Sequence, residues 1–214
     1  MSREEPQGRS GSLVPRAHLS LLRQIGRLGA GNAAASLSSL LGKKGELKIS
    51  QVLPLHFNEI TEYLGGAEER IVTVFARFEG NISGNMLYVL HEEDARGIIA
   101  TLSDESGGEE FSEMELSLMQ EVGNILIGSY ITALSDFLAL ELKSTVPALA
   151  IDMAGAIISF SLSEIGRSGD TAIVMSGGLS IEGKGASGHL FLLPDPLSLE
   201  KIFEIMGLSG NGNS

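Results

Sequence analysis

Glu121-Val122-Gly123-Asn124-Ile125 repeats, in altered form, Gln24-Ile25-Gly26-Arg27-Leu28, and this pair of segments divides the chain. Both begin long stretches of helical apolar periodicity. A second pair lies downstream. Ser83-Gly84-Asn85-Met86-Leu87-Tyr88-Val89-Leu90 aligns with Ser187-Gly188-His189-Leu190-Phe191-Leu192-Leu193-Pro194. The order of elements matches as well. Each half predicts a long helix, a short strand, a second helix, two strands and a closing helix. In the first half these fall at 17–41, 47–54, 57–64, 71–79, 82–91 and 92–102. In the second they fall at 112–140, 142–149, 152–165, 170–182, 186–193 and 196–207.

The paired strands are rich in Val, Ile, Leu and Phe and meet at glycine-containing turns, Glu79-Gly80-Asn81 and Glu182-Gly183-Lys184-Gly185, which are hairpin signals. Helices this apolar need a sheet to cover, and halves of about 90 residues are expected to share one rather than to form two independent domains. The expected fold is therefore α+β, a sandwich-like arrangement. Two pseudo-symmetric halves, 17–102 and 112–207, share one mostly antiparallel sheet, with the two long helices side by side on one face. A single domain then spans 17–208. Residues 1–16 read as a disordered tail, 103–111 as a charged, Gly-rich link and 209–214 as a flexible end. Leu13-Val14-Pro15-Arg16 is similar to a thrombin cleavage site, but the usual Gly-Ser does not follow.

Composition narrows the function. Of 214 residues 43% are hydrophobic, so an ordinary core is available, while aromatics are 5% and tryptophan is absent. That argues against stacking platforms for nucleic acid. The formal net charge of −12, with no Lys/Arg cluster, argues against a phosphate-backbone partner and suits a protein partner with a basic patch. There are no cysteines, which excludes disulfides and thiol nucleophiles and fits a reducing, cytoplasmic setting. The histidines at 18, 56, 91 and 189 have no metal-ligand spacing and read as loop or strand-end residues. Nothing reads as a signal peptide or membrane span; the longest apolar run, 146–160, is interrupted by Asp152 and too short to cross a bilayer. There is no GxxxxGK[ST] loop and no catalytic-triad spacing.

One polar pattern stands out. Ser117, Glu121 and Asn124 are spaced i, i+4, i+7, with Pro147 downstream, giving Ser-x3-Glu-x2-Asn-x22-Pro. A helix turns about 100° per residue, so the three side chains share a narrow arc. Leu118, Val122 and Ile125 fall on a neighbouring face. Gly123 and Gly128 each lower helix propensity by about 1 kcal/mol. Gly123 suits tight helix packing and Gly128, on the stripe itself, a close approach by a partner's backbone. Taken alone, the stripe is also what a solvated helix face looks like.

These residues resemble the motif of the CheC family, which comprises CheC, CheX and FliY-type proteins, with CheC the nearest in type. The family are phosphatases of the phosphorylated chemotaxis response regulator CheY. Its motif, Asp or Ser-x3-Glu-x2-Asn-x22-Pro, is matched by Ser117, Glu121, Asn124 and Pro147. The stretches Ile25 to Ala34 and Asp152 to Ile157 are similar too, and the likeness covers about 17–207. The resemblance implies hydrolysis of an aspartyl phosphate on another protein. Asn124 would hold the attacking water, because a carboxamide both accepts and donates hydrogen bonds. Glu121 would pair with a receiver lysine. Ser117 would extend the polar contact and Pro147 would set local shape. No cofactor is implied for this chain; Mg²⁺ would come with CheY.

The family often carries a second copy of the motif in the first half. Here the corresponding positions are Ser20, Gln24, Arg27 and Ser50. Arginine has donors only, so Arg27 cannot replace an amide that must also accept. The first site reads as inactive, or as a cation that holds an acidic partner. By resemblance the family also binds CheD, a receptor-modifying deamidase. The helix starting at Asp152, with Asp152 its acidic residue, is the candidate docking surface. An adaptor that binds CheD or CheY is therefore the competing reading. A flagellar-switch role would bring an added segment or domain, and the chain ends at Ser214.

Overall fold

The computed structural model describes residues 14, 16–102, 108, 110–165 and 171–207. Most of the proposed tail, part of the link and the proposed flexible end lie outside them. Val14, inside the stretch expected to be a tail, is fully buried in the core, and the first helix starts at Arg16. An apolar side chain just ahead of the helix has a core to enter, so order begins earlier than the polar composition of that stretch implies.

The elements run α1 (Arg16–Leu41), β1 (Gly45–His56), α2 (Ile60–Tyr63), β2 (Arg70–Gly80), β3 (Gly84–His91) and α3 (Glu92–Leu102). The second half continues with α4 (Glu113–Leu138), β4 (Leu142–Ser144), β5 (Ala148–Met153), α5 (Ala154–Ile165), β6 (Thr171–Ile181), β7 (Lys184–Pro194) and α6 (Pro196–Ile205). The expected order is present. Two expectations need correction. The helix over 57–64 is a 3₁₀ turn, Phe57–Glu59, followed by a single α turn. The strand over 142–149 is two strands, β4 and β5, interrupted at Thr145-Val146-Pro147.

The sheet order is β1-β6-β7-β3-β2, with β4 and β5 both paired to β2, and every pairing is antiparallel. The halves are interlocked. The first strand of each half pairs with the hairpin of the other: β1 with β6, and β4–β5 with β2. The pseudo-twofold passes through the pairing of Leu87 with Phe191, two residues that are also each other's repeat counterparts.

One face of the sheet carries α1, α3, α4 and α6 over a core that includes Leu22, Val74, Phe78, Ile99, Leu126 and Ile202. The other carries α2 and α5 over Ile60, Leu64, Ile157 and Phe191. Sheet strands buried on both faces lose clean alternation, which is why they read as continuous apolar runs. The long helices lie side by side and antiparallel. A Cβ on Gly29 would come within 2.7 Å of the Tyr130 ring, while Ser36, further along α1, shares a groove with Asn124 of α4. Among the described residues, no helix is long and apolar enough to cross a membrane.

Candidate functional site

The α4 helix is well started. Ser112 is its N-cap: its hydroxyl accepts from the Glu115 amide at 3.3 Å, and the Glu115 carboxylate accepts from the Ser112 amide at 2.7 Å. This capping box satisfies two otherwise orphaned backbone donors. The Ser112 amide and hydroxyl hold the Glu115 carboxyl below the usual range. The first turn is therefore fixed just ahead of the polar stripe.

The inward face of α4 buries Met119, Val122, Gly123, Leu126 and Ile127. That orientation leaves Ser117, Glu121 and Asn124 exposed, as the spacing predicts. Gly123 sits directly over the sheet, where an added Cβ would come within 2.4 Å of Val74. The close approach accounts for a glycine whose helix propensity is poor. Around Gly128 nothing lies within 4 Å of the corresponding point, so packing inside the chain does not account for it.

Pro147 lies beside this helix at the break between β4 and β5. Ser144 pairs with Phe78 and Ala148 with Phe75, so three residues oppose two and the edge strand bulges. Proline fits there because it has no amide to donate to the ladder. Its carbonyl accepts a hydrogen bond from the Gln120 side chain at 3.1 Å. Gln120, next to Glu121, is the link that joins helix and bulge, and the sequence pattern did not single it out. The break is also fastened to β2, with the Thr145 amide donating to the Arg77 carbonyl at 2.8 Å and the Thr145 hydroxyl accepting from the Arg77 amide at 3.0 Å.

Asn124 also opens onto a groove of about 510 Å³ between the long helices. Asn32, Ala35 and Ser36 of α1 face it from one side, and Asn124, Gly128 and Thr132 of α4 from the other. The first half thus contributes to the surroundings of a second-half residue. The clue in the sequence was the repeat itself, since antiparallel twofold-related helices set Asn32 opposite its counterpart Ser129.

The first-half positions form a matching surface with different chemistry. Ser20, Gln24, Arg27 and Ser50 are all exposed. Ser50 sits in a bulge of β1 between the pairs Ile49–Gly177 and Gln51–Ser176. Its hydroxyl donates to the Ser176 carbonyl at 3.1 Å. Helix α1 carries Arg16, Arg23 and Arg27 and no acidic residue; α4 carries Glu113, Glu115, Glu121 and Asp136 and no basic one. The two related faces have opposite charge.

Asp152 is exposed but does not begin a helix. It is in β5, with α5 starting at Ala154, and its carboxylate accepts from the Met153 amide at 2.7 Å. The histidines divide. His56 and His91 end strands, as expected. His18 lies instead in α1, buried and stacked on Phe203 at 4.1 Å between ring centres. His189 lies within β7 and hydrogen-bonds the Ser176 hydroxyl at 3.0 Å. An apolar partner ring and a buried hydroxyl admit them where sequence spacing gave no sign.

A family model described as the CheC-like family matches residues 114–151, which contain Ser117, Glu121, Asn124 and Pro147. The CheY-P phosphatase CheC of Bacillus subtilis is 34% identical over 202 residues, covering 92% of this chain and 97% of that protein. Among solved structures, Thermotoga maritima FliY matches with a TM-score of 0.73 at 19% identity, covering 92% of this chain and 100% of the other. The FliM middle domain from H. pylori matches with a TM-score of 0.63 at 18% identity, covering 90% and 100%. At those identities the two structures bear on the fold.

Proposed function

The chain belongs to the CheC-like family, and from that premise we propose that it hydrolyses the aspartyl phosphate of the response regulator CheY at a single site on α4. The observation that carries this reading is the exposure of Glu121 and Asn124 on one stripe, beside a bulge fastened by Gln120 to Pro147. The B. subtilis relative, named a CheY-P phosphatase, supports the substrate.

An acyl phosphate is already activated, so catalysis is largely positioning and electrostatics. Water attacks phosphorus, the bond from phosphorus to the aspartyl oxygen breaks, and inorganic phosphate and a free carboxylate result. The Asn124 carboxamide oxygen accepts from the attacking water and its NH₂ donates to a phosphoryl oxygen. Glu121 pairs with a lysine of the receiver and sets the docking register. Ser117 lengthens the polar contact. Mg²⁺ is brought by CheY and supplies charge stabilisation there; no residue of this chain is assigned to it. At the first-half position Arg27 cannot accept from water, so that site is silent. Measuring the lifetime of phospho-CheY with and without substoichiometric amounts of this protein tests the reading. A shortened lifetime with multiple turnovers supports it, and an unchanged lifetime removes it.

A second role, binding of CheD, is favoured by one feature. Exposed Asp152 lies at the end of β5, just ahead of α5, a helix that leaves Phe160 57% exposed, so this part of the fold offers an acidic and an apolar side chain to a protein partner. Loss of CheD binding in Asp152→Lys, with phosphatase activity retained, is the expected outcome; full binding by that variant contradicts it.

A further inference from the structure

We propose that the β4–β5 bulge is a second wall of the docking site, on which Val146 is an apolar anchor for the phosphorylated protein and Gln120 is the positioning residue that holds the wall in place. This inference rests on the phosphatase reading above. Val146 is 87% exposed, the most exposed large apolar side chain among the described residues. Its repeat counterpart, Ile49, instead packs against the core beneath α1, where it lies 3.8 Å from the point a Cβ on Gly26 would occupy. The same place in the fold therefore packs a partly buried apolar residue against the core in one half and turns one outward in the other.

The cause is local. In β1 the extra residue, Ser50, is tied to the neighbouring strand through Ser176. In the second half the Pro147 carbonyl is tied to α4 through Gln120. Val146 immediately precedes Pro147 and so is carried next to the helix that bears Glu121. On the helix itself Met114 is 67% exposed, three residues before Ser117 and on the same stripe. The polar stripe is thus accompanied by Met114 at its N-terminal end and by Val146 on the bulge. Interfaces place apolar contacts beside the polar groups that do the chemistry, because excluding water strengthens the latter. The occupant is the phosphoprotein. A contact surface continuous with the stripe would be covered by whatever covers Glu121 and Asn124.

Val146→Ser and Gln120→Glu test the proposal in the full-length chain. Glu is nearly isosteric with Gln but cannot donate to a carbonyl, whereas Gln120→Lys keeps a donor. Val146→Ser and Gln120→Glu are expected to raise KM for phospho-CheY about tenfold each, the size of a modest hot spot, with kcat unchanged. Gln120→Lys should restore KM to within about twofold of the parent. Wild-type KM in both Val146→Ser and Gln120→Glu overturns the inference, as does a fall in kcat with KM unchanged. Asn124→Ala, measured alongside, separates the two ideas. If it loses turnover while the bulge variants are normal, only the docking wall fails; if it keeps turnover, the phosphatase site itself has been misplaced.

Discussion

Ser50 and Pro147 hold the same place in the two halves of this protein: each lies where one residue too many enters the pairing of a first strand with its neighbour. They are then used differently. The Ser50 hydroxyl donates to the Ser176 carbonyl of the next strand, whereas the Pro147 carbonyl accepts from Gln120 on the long helix. The duplication preserved the bulge and changed what it is tied to.

That difference, with Gln24 and Arg27 in place of Glu and Asn, predicts one productive site per chain. Arg27 would meet a receiver lysine with like charge, which is repulsive. Calorimetric titration with CheY carrying a phosphoryl mimic should give one site per chain. The double variant Gln24→Glu with Arg27→Asn should gain a second, weaker one, since Ser50 still stands where proline does in the other half. Two equivalent sites in the unmodified protein would contradict the asymmetry.

Glu121 should act through docking. Losing a charge-assisted hydrogen bond costs about 10- to 100-fold in affinity. Glu121→Gln should weaken binding of the mimic-bound partner by that much, and raising the salt concentration should narrow the gap between variant and parent. Unchanged affinity with lost turnover would move Glu121 into the chemical step.

Two glycines of α4 should respond in opposite ways. Gly123→Ala forces a Cβ to within 2.4 Å of buried Val74, so it should destabilise the fold by about 1–3 kcal/mol and shift Asn124 with the helix. Gly128→Ala meets nothing within 4 Å and should stabilise by up to about 1 kcal/mol. Chemical denaturation of the two variants checks this; equal effects would mean that α4 does not lie so close to the sheet. A raised KM in the stabilised Gly128→Ala would add that the partner's backbone comes close at that point.

Much of this was legible in the sequence because the chain states it twice. The strand pair Ser83–Leu90 and Ser187–Pro194, with the two helix openings, sets out the halves and the shared sheet, and the i, i+4, i+7 spacing alone puts Ser117, Glu121 and Asn124 on one exposed stripe. The interruption at Thr145-Val146-Pro147 was not legible, because an edge strand tolerates proline without breaking, and only the register with Phe75 and Phe78 shows the extra residue. Gln120 was hidden for a related reason: its bond is to a backbone carbonyl 27 positions away, and no pattern of side-chain types encodes such a partner. Asp152 was misplaced because the apolar residues after it suit the end of a strand as well as the start of a helix.

His189 gives the fold a pH dependence. Burial pushes its pKa down to about 4, with nearby His91 adding to the effect. The folded chain therefore keeps this imidazole neutral, while the unfolded chain takes up a proton below about pH 6.5. Between those values the unfolded state binds more protons, so stability falls as the pH drops from about 6.5 towards 4, by on the order of 3 kcal/mol in all. In His189→Asn this contribution should be missing and the denaturation midpoint should change less over that range. Parallel pH profiles for the two proteins would contradict it.

If Asn124 positions the water that cleaves the aspartyl phosphate, its loss must show in a single rate. Phospho-CheY decay should be followed at saturating concentrations of the parent and of Asn124→Ala, with matched thermal melts to confirm folding. Asn124 is exposed, so the fold should be unaffected. Saturation removes any difference in binding, which leaves the chemical step. Decay with Asn124→Ala should return to within about twofold of CheY's own rate, since positioning is nearly all that the helix contributes. Decay as fast as with the parent would show that the amide does not hold the water and would contradict the claim.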